Sequence, residues 1–492
     1  LVFVHLLRHI AGSMFILRLR YAWDNYSERI LSRVDPVQAK FVAGISEAPP
    51  ANAGGWLSVF GAGTLAFFAM LDMSVGTLAI PSVADGFDIS VSAAQWVVLS
   101  GQLALVSLLL PVGNWLSGKD PRPLVLPAIV CFAVCSGLSA LVPTFEWFVT
   151  IRTLQGAASA VILVSVPVLA ARAVRAKARG RAMGIVVTMA PLGAVVGPVL
   201  GGALLDTWGW RAAFAISTPV CVVVLTWWRG RSGVRDSGTR RPDIFTTVVD
   251  SSLFTLAIGS FLLVLTFADD SLKWLFLMIP GALAVALWLR RPGGRTVQGT
   301  LGHARLWMII AAALAMGSAF TAMRHLVSLH LQTDRAMSPT AVGFTVMWLS
   351  LAMAASGMVG GLLSDRFSAR WVGTAGAVIT TVGVTLVLAA DHPWTSAALI
   401  WPLVVVGVGM GVYAAPTQAL VLKDSPVGRQ TTATAALQAG RNLGFTVGPP
   451  LATTAWTTSG GGPAGATAGL VIALLLASMV AILFVGRTGR TR

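Results

Sequence analysis

The sequence predicts an all-α integral membrane protein of 14 transmembrane helices, built as two six-helix bundles in parallel repeat plus a two-helix insert. Three observations predict it: an apolar composition, connecting loops that alternate in charge, and two motifs that each recur about 250 residues later.

Of the 492 residues, 55% are hydrophobic and 11% charged, with a mean hydropathy of +0.78. A soluble globular chain carries roughly a quarter charged residues. So little polar surface excludes a water-soluble enzyme, a secreted disulfide scaffold and a disordered chain. Cys131, Cys135 and Cys221 lie in apolar runs and are expected to be free, buried thiols. No G-x-x-x-x-G-K-[ST] loop and no cluster of metal-ligand residues occurs in the sequence, so neither ATP-driven transport nor a cofactor is expected.

Apolar segments bounded by charge, Pro or Gly cover residues 56–80, 91–117, 124–142, 147–174, 182–205, 212–228, 244–267, 274–289, 306–332, 340–363, 371–390, 396–422, 432–456 and 464–485. Most are long enough to cross a bilayer as a helix; the sixth and eighth are short. Continuous apolar runs exclude barrel strands, which alternate.

With the N-terminal tail taken as cytoplasmic, 29 of the 35 basic residues fall in cytoplasmic stretches. Arg211, Lys273 and Arg335 fall on the other side, and Arg152, Arg324 and Arg441 fall inside spans. This bias places both termini in the cytoplasm and accounts for the net charge of +16 without nucleic acid. Arg outnumbers Lys, and Ala, Gly and Val abound, which points to a GC-rich bacterial genome and a bacterial cytoplasmic membrane. Residues 1–19 are apolar but broken by His5, Arg8, His9 and Arg18, which argues against a signal peptide. An interfacial amphipathic helix and an over-extended reading frame, with a start near Met14 or later, both stay open there.

The internal repeat fixes the architecture. Gly113-Asn-Trp-Leu-Ser-Gly-Lys-Asp-Pro-Arg122 follows the second span, and Gly361-Leu-Leu-Ser-Asp-Arg-Phe-Ser-Ala-Arg370 follows the tenth, 248 residues on. Gly193-Ala-Val-Val-Gly-Pro198 lies in the fifth span and Gly444-Phe-Thr-Val-Gly-Pro449 in the thirteenth, 251 residues on. An even number of intervening spans gives a parallel repeat about an axis along the membrane normal, with a binding cavity between the bundles near the midplane. The division is then a tail at 1–55, a bundle at 56–228, linkers and two inserted helices at 229–305, a second bundle at 306–486 and a tail at 487–492.

Asp72 lies inside the first span, in Leu71-Asp-Met-Ser-Val-Gly-Thr-Leu-Ala-Ile-Pro81. A carboxylate there is costly, and it reads either as a proton-exchanging group or as a structural ion pair with an Arg. In the fourth span Arg152, Gln155 and Gly156 stand in R-x-x-Q-G spacing. A permanent guanidinium near Asp72 ties its proton to conformation; otherwise Arg152 is an outer-interface cap paired with Glu146. Gly193, Gly197, Pro198, Gly201 and Gly202 form a smooth face for close helix contact, with a proline to bend it. The ninth span carries Arg324 at a depth similar to Asp72, with His325 and His330 nearer the interface, and the thirteenth carries Arg441. Asp250 reads as a boundary carboxylate of the seventh span.

On these residues the chain resembles the major facilitator superfamily, specifically its fourteen-helix drug:proton antiporter branch, over roughly residues 56–485. Gly361, Leu363, Asp365, Arg366 and Arg370 fit that family's loop motif, whose Asp latches one access state. The copy at Gly113 to Arg122 departs from it: Ser117 stands at the Asp position and Gly118 at the basic one, leaving Lys119, Asp120 and Arg122 as a weaker substitute. The fifth-span motif marks exporters in the family. The resemblance implies a monomeric, proton-driven exporter of amphipathic small molecules, working by alternating access without a cofactor. Asp72 and Arg152 would couple protons, and Asp72, Gln155, Arg324 and Arg441 would line the cavity. One deep acid against three buried Arg leaves room for a neutral, zwitterionic or anionic substrate. Two other readings stay open: an exporter of an anionic metabolite or endogenous antibiotic, and a transport-inactive membrane sensor or scaffold, suggested by the altered first loop motif.

Overall fold

The computed structural model describes residues 53–488, except 90, 95, 118–120, 220, 223–224, 226–243, 268–275, 304–305, 334–336, 338, 391–393 and 461. Both readings of the N-terminal tail, Lys119 and Asp120 lie outside the described residues.

The long helices are α1 Ala53–Leu78, α2 Trp96–Trp115, α3 Arg122–Ser139, α4 Phe145–Ala173, α5 Arg179–Ala215, α6 Ile244–Phe267, α7 Met278–Arg290, α8 Leu306–Thr333, α9 Pro339–Arg366, α10 Ala369–Leu388, α11 Ser396–Asp424, α12 Gln430–Thr458 and α13 Gly462–Thr488. Among the described residues, 10 helices are long and apolar enough to cross a membrane. The chain is therefore a multi-pass membrane protein. α12 is as long, at 29 residues, yet too polar to qualify, and its polar residues turn inward: Thr431, Thr432, Thr434, Gln438 and Asn442 are buried. α6 and α7 contribute the shorter apolar stretches Phe245–Phe261 and Met278–Arg290.

Local chemistry sets the ends. α4 carries Glu146 in its first turn and Arg172 in its last, complementing the helix dipole. Thr395 caps α11 by accepting from the Ala398 N–H at 3.2 Å. α5 leaves helical geometry at Gly209, where φ is 78°, a conformation glycine adopts at low cost. The fifth and sixth predicted spans thus meet within Trp208-Gly-Trp210. Trp147, Trp371 and Trp401 are exposed near helix ends, as interfacial anchors are.

The two halves repeat each other in their packing. α1 lies on α5 as α8 lies on α12; α4 packs on α2 and α3 as α11 packs on α9 and α10. Between the halves the contacts form a symmetric pair, α5 with α9 and α2 with α12. A shift of eight spans exchanges one pair for the other, which is the parallel repeat seen as packing.

Two expectations are corrected and one gains a partner. Cys131 is exposed, while Cys135 and Cys221 are buried; Val130, Val134 and Leu138 on α3 are exposed with it, so that face of α3 borders lipid. Asp250, the boundary carboxylate, lies in the first turns of α6, where it is buried and accepts from Arg291 Nε, just past the end of α7, at 2.6 Å. The stretch after α7 is more than linker, because Pro292–Gly302 is a helix. It packs between α2 and α12, with Val297 and Thr300 buried, and Asn114 Nδ2 donates to the Gly293 carbonyl at 3.0 Å.

Candidate functional site

The site begins on α4, where Arg152 and Gln155 sit three residues apart on one face. Gly156 lets that face approach α2, since a side chain there would collide with the Gly101 carbonyl. Opposite, α1 presents Asp72. Its Oδ2 accepts from Arg152 Nη1 at 2.9 Å and its Oδ1 from Gln155 Nε2 at 3.2 Å. Arg152 Nη1 also donates to Gln155 Oε1 at 2.7 Å, and Nε donates to the Val97 carbonyl at 3.1 Å. The guanidinium lies 5.1 Å from the Phe214 ring centre, a cation–π contact. Asp72, Arg152 and Gln155 are 8%, 5% and 2% exposed, so this is a neutralised pair inside the span, with each charge bonded more than once. The structure thus brings Arg152 to Asp72, and not to Glu146 six residues earlier.

The triad forms one wall of an open cavity, with Met73, Gln102 and Ser159 beside it. Asn442, from the other half, completes the lining. Sequence reasoning named Arg441 and passed over its neighbour. The signal was available, because the polar residues of α12 recur at helical spacing as Thr434, Gln438 and Asn442.

The fifth-span glycines support the same wall. A Cβ at Gly197 would lie 2.6 Å from that of Ser74, one at Gly201 would lie 2.9 Å from Val75 Cγ2, and one at Gly193 would strike the Phe67 carbonyl. α5 therefore holds the two turns of α1 that carry Asp72. Pro198 and Gly202 continue this helix, but their surroundings lie outside the described residues.

At one end the halves are latched. Asp365 Oδ1 accepts from the Gly180 N–H at 2.8 Å, and Oδ2 accepts from Arg181 N at 3.1 Å and Arg181 Nε at 3.2 Å. The carboxylate thus sits on the positive end of α5. Gly361 and Gly184 allow the approach, each against the other's backbone. Arg370 pairs with Asp424 at 3.6 Å, while Arg366 is exposed. In the first loop, Gly113 packs against Ala435 and Thr431, and Arg122 is exposed at the start of α3. At the position matching Asp365, Ser117 Oγ donates to the Gly428 carbonyl at 2.7 Å.

The structure does not gather every predicted cavity residue in one place. Arg324 is exposed on α8 and makes no ion pair among the described residues. Arg441 is half-buried near Tyr413, and its Nε has no hydrogen-bond partner among the described residues. His325 Nε2 lies 3.0 Å from Thr453 Oγ1, and His330 is buried against Trp394.

Comparison with known proteins agrees with this architecture. The family model described as Major Facilitator Superfamily matches residues 62–328 and 308–492. The "Multidrug resistance protein Stp" of Mycobacterium tuberculosis is 26% identical over 401 residues, 80% of this chain and 74% of that protein. The "Multidrug efflux pump LfrA" of Mycolicibacterium smegmatis is 27% identical over 385 residues, 77% of this chain and 76% of that protein. The crystal structure of the human organic anion transporter MFSD10 superposes with a TM-score of 0.61 at 15% identity, covering 89% of this chain and 100% of that one. That last likeness is one of fold.

Proposed function

The chain belongs to the Major Facilitator Superfamily, a family of transporters and not of enzymes, and on that premise we propose that it is a proton-coupled exporter of amphipathic small molecules. Its membrane would be the bacterial cytoplasmic membrane, crossed 14 times, with both termini in the cytoplasm, and the protein would act as a monomer without a cofactor. The observation that carries the reading is the buried Asp72–Arg152–Gln155 triad facing a cavity between halves joined at one end.

Charge bookkeeping in a low dielectric supplies the mechanism. With Asp72 ionised, the pair is neutral as a whole. A proton on Asp72 breaks the pair and leaves Arg152 with Gln155, the Val97 carbonyl and the Phe214 ring but no counter-charge, an arrangement costly for a buried cation. That change acts on α1 and α4, and α1 is locked to α5, whose first turn is latched to α9. Protonation at the cavity wall therefore bears on the helix that holds the far end closed. The charge bias of the loops supports a latched end at the cytoplasm and a cavity that opens outward. The two multidrug relatives support export of amphipathic compounds.

The test is uptake of a fluorescent cargo by everted vesicles under an imposed proton gradient. Wild type should accumulate it against its gradient and stop when an ionophore collapses the gradient. Asp72→Asn should insert normally and lose uphill transport, keeping exchange of cargo for cargo. Wild-type uphill rates in that variant would remove Asp72 from the coupling.

A further inference from the structure

The two halves differ sharply in internal charge. In the first half, Asp72 and Arg152 cancel. In the second, Arg324 and Arg441 both lie within spans, and the acids between residues 306 and 486 are Asp334, Asp365, Asp391 and Asp424, at or beyond helix ends. Both Asp72 oxygens already accept hydrogen bonds from Arg152 and Gln155. The second half thus carries two guanidiniums with no acid to balance them inside the spans.

The internal repeat carries Asp72, which lines the cavity, onto Arg324 at an offset of 252, and the register of α8 turns Arg324 toward the side where the halves meet. Ile310, Gly317 and Arg324 recur every seven residues and so share one face of the helix. Ile310 packs against the core cluster that joins α2 and α12, with Gly440 facing it. Gly317 lies against the Arg441 carbonyl. Seven residues further along, about 10 Å, the same face bears Arg324, exposed while Met323 and Leu326 on either side are buried. A face buried between the halves at one level and exposed at the next marks where they part.

Building on the exporter reading above, we infer that Arg324 is an anion-binding subsite of the cavity and that its ligand class is amphiphiles bearing a carboxylate or a similar planar oxyanion. The guanidinium offers parallel N–H donors that such a group matches two at a time. While the cavity is open, water solvates Arg324. When the halves close over it, that water must leave, and a bare cation there is unfavourable. A bound carboxylate replaces the water and neutralises the charge, so the cargo itself makes closure favourable. Arg441, two helical turns nearer the latched end, leaves the surrounding field positive and reinforces the preference.

The test is a matched pair of probes that differ only at one carboxylate: rhodamine B and its ethyl ester. Binding is read by fluorescence anisotropy on purified protein in nanodiscs. Wild type should bind rhodamine B roughly tenfold or more tightly than the ester, as charge-assisted hydrogen bonds to a desolvated carboxylate give. Arg324→Gln should bring the two affinities together by weakening rhodamine B alone, and the retained ester affinity reports an intact fold. Arg324→Lys should restore part of the preference, since it keeps the charge and loses the paired donors. Equal or ester-favouring binding by wild type overturns the inference, as does a preference that survives Arg324→Gln. Vesicle export of the two dyes separates this from the wider reading. A binding preference without export would sink the exporter assignment alone, and export without the preference would sink the subsite alone.

Discussion

Ser117 donates to the Gly428 carbonyl at 2.7 Å, and a shift of 248 residues carries this pair onto Asp365 and Gly180. The fold therefore closes its latched end twice, at two symmetry-related places with different chemistry. One is an ionic clasp at a helix N-terminus; the other rests on neutral hydrogen bonds, with Thr432 Oγ1 also donating to the Gly113 carbonyl at 3.3 Å. Of the expected substitute, Lys119 and Asp120 lie outside the described residues; the contact seen at the Asp position is made by Ser117 itself.

The latches should differ in strength. Asp365→Asn weakens three bonds to one carboxylate and should shift the access equilibrium by about 2–3 kcal/mol, the range for hydrogen bonds to charged groups. Ser117→Ala should shift it by about 1 kcal/mol. Spin-label distances across the latched end, measured for both variants, check the order. An equal or larger opening in Ser117→Ala would mean that Asp365 is not the main clasp.

The glycine face of α5 gives a second prediction. Gly197→Val forces bulk against Ser74, next to the triad, where a Cβ alone already stands 2.6 Å away. Overpacking of this kind costs about 1–3 kcal/mol. Transport should fall well before expression does, because α1 moves and Asp72 moves with it. Normal transport with valine at Gly193, Gly197 and Gly201 in turn would show that α1 and α5 do not need this contact.

The helix after α7 can be tested through its one-sided burial. Val297 is 3% exposed and shares a core with Leu116 and Ala435, while its neighbour Thr296 is half-buried and Gln298 is exposed. Val297→Asp should lower the melting temperature of the detergent-purified protein by several degrees, the expected result of burying an unpaired charge. Gln298→Asp should leave it within a degree or so. Equal effects would mean that the helix does not pack between the halves.

Much of this was legible in the sequence, for reasons that can be named. Long apolar runs are a strong signal in a bilayer, where the backbone must satisfy itself, and the motif offsets of 248 and 251 exposed the repeat directly. Asp72 and Arg152 stood out because charge is rare in a span. What stayed hidden depended on partners. Nothing local to Arg152 chooses between Glu146, six residues away, and Asp72, on another helix. The partner of Asp250 stayed out of view because Arg291 lies beyond an intervening helix. α12 was read as an ordinary apolar span, yet its Thr, Gln and Asn residues are buried by the protein, and hydropathy alone does not show which face meets lipid.

The Asp72–Arg152 pair itself yields the decisive prediction. A buried pair adds little net stability, but removing one partner strands the other charge, at a cost of about 3–5 kcal/mol. Asp72→Asn strands Arg152, although the amide keeps the shape and part of the hydrogen bonding. Arg152→Gln strands Asp72, whose remaining donor is the Gln155 amide. Both single variants should therefore melt below wild type, with Arg152→Gln lower unless Asp72 takes up a proton. The double variant removes both charges and should recover most of the loss, a coupling of about 2 kcal/mol or more in the cycle. Uphill transport should not recover with it, because no group remains at that place to exchange a proton. Melting temperatures in nanodiscs and gradient-driven uptake, measured on the same four proteins, separate the two roles. If stability and uphill transport return together in the double variant, the pair is a structural brace and the coupling proton binds elsewhere.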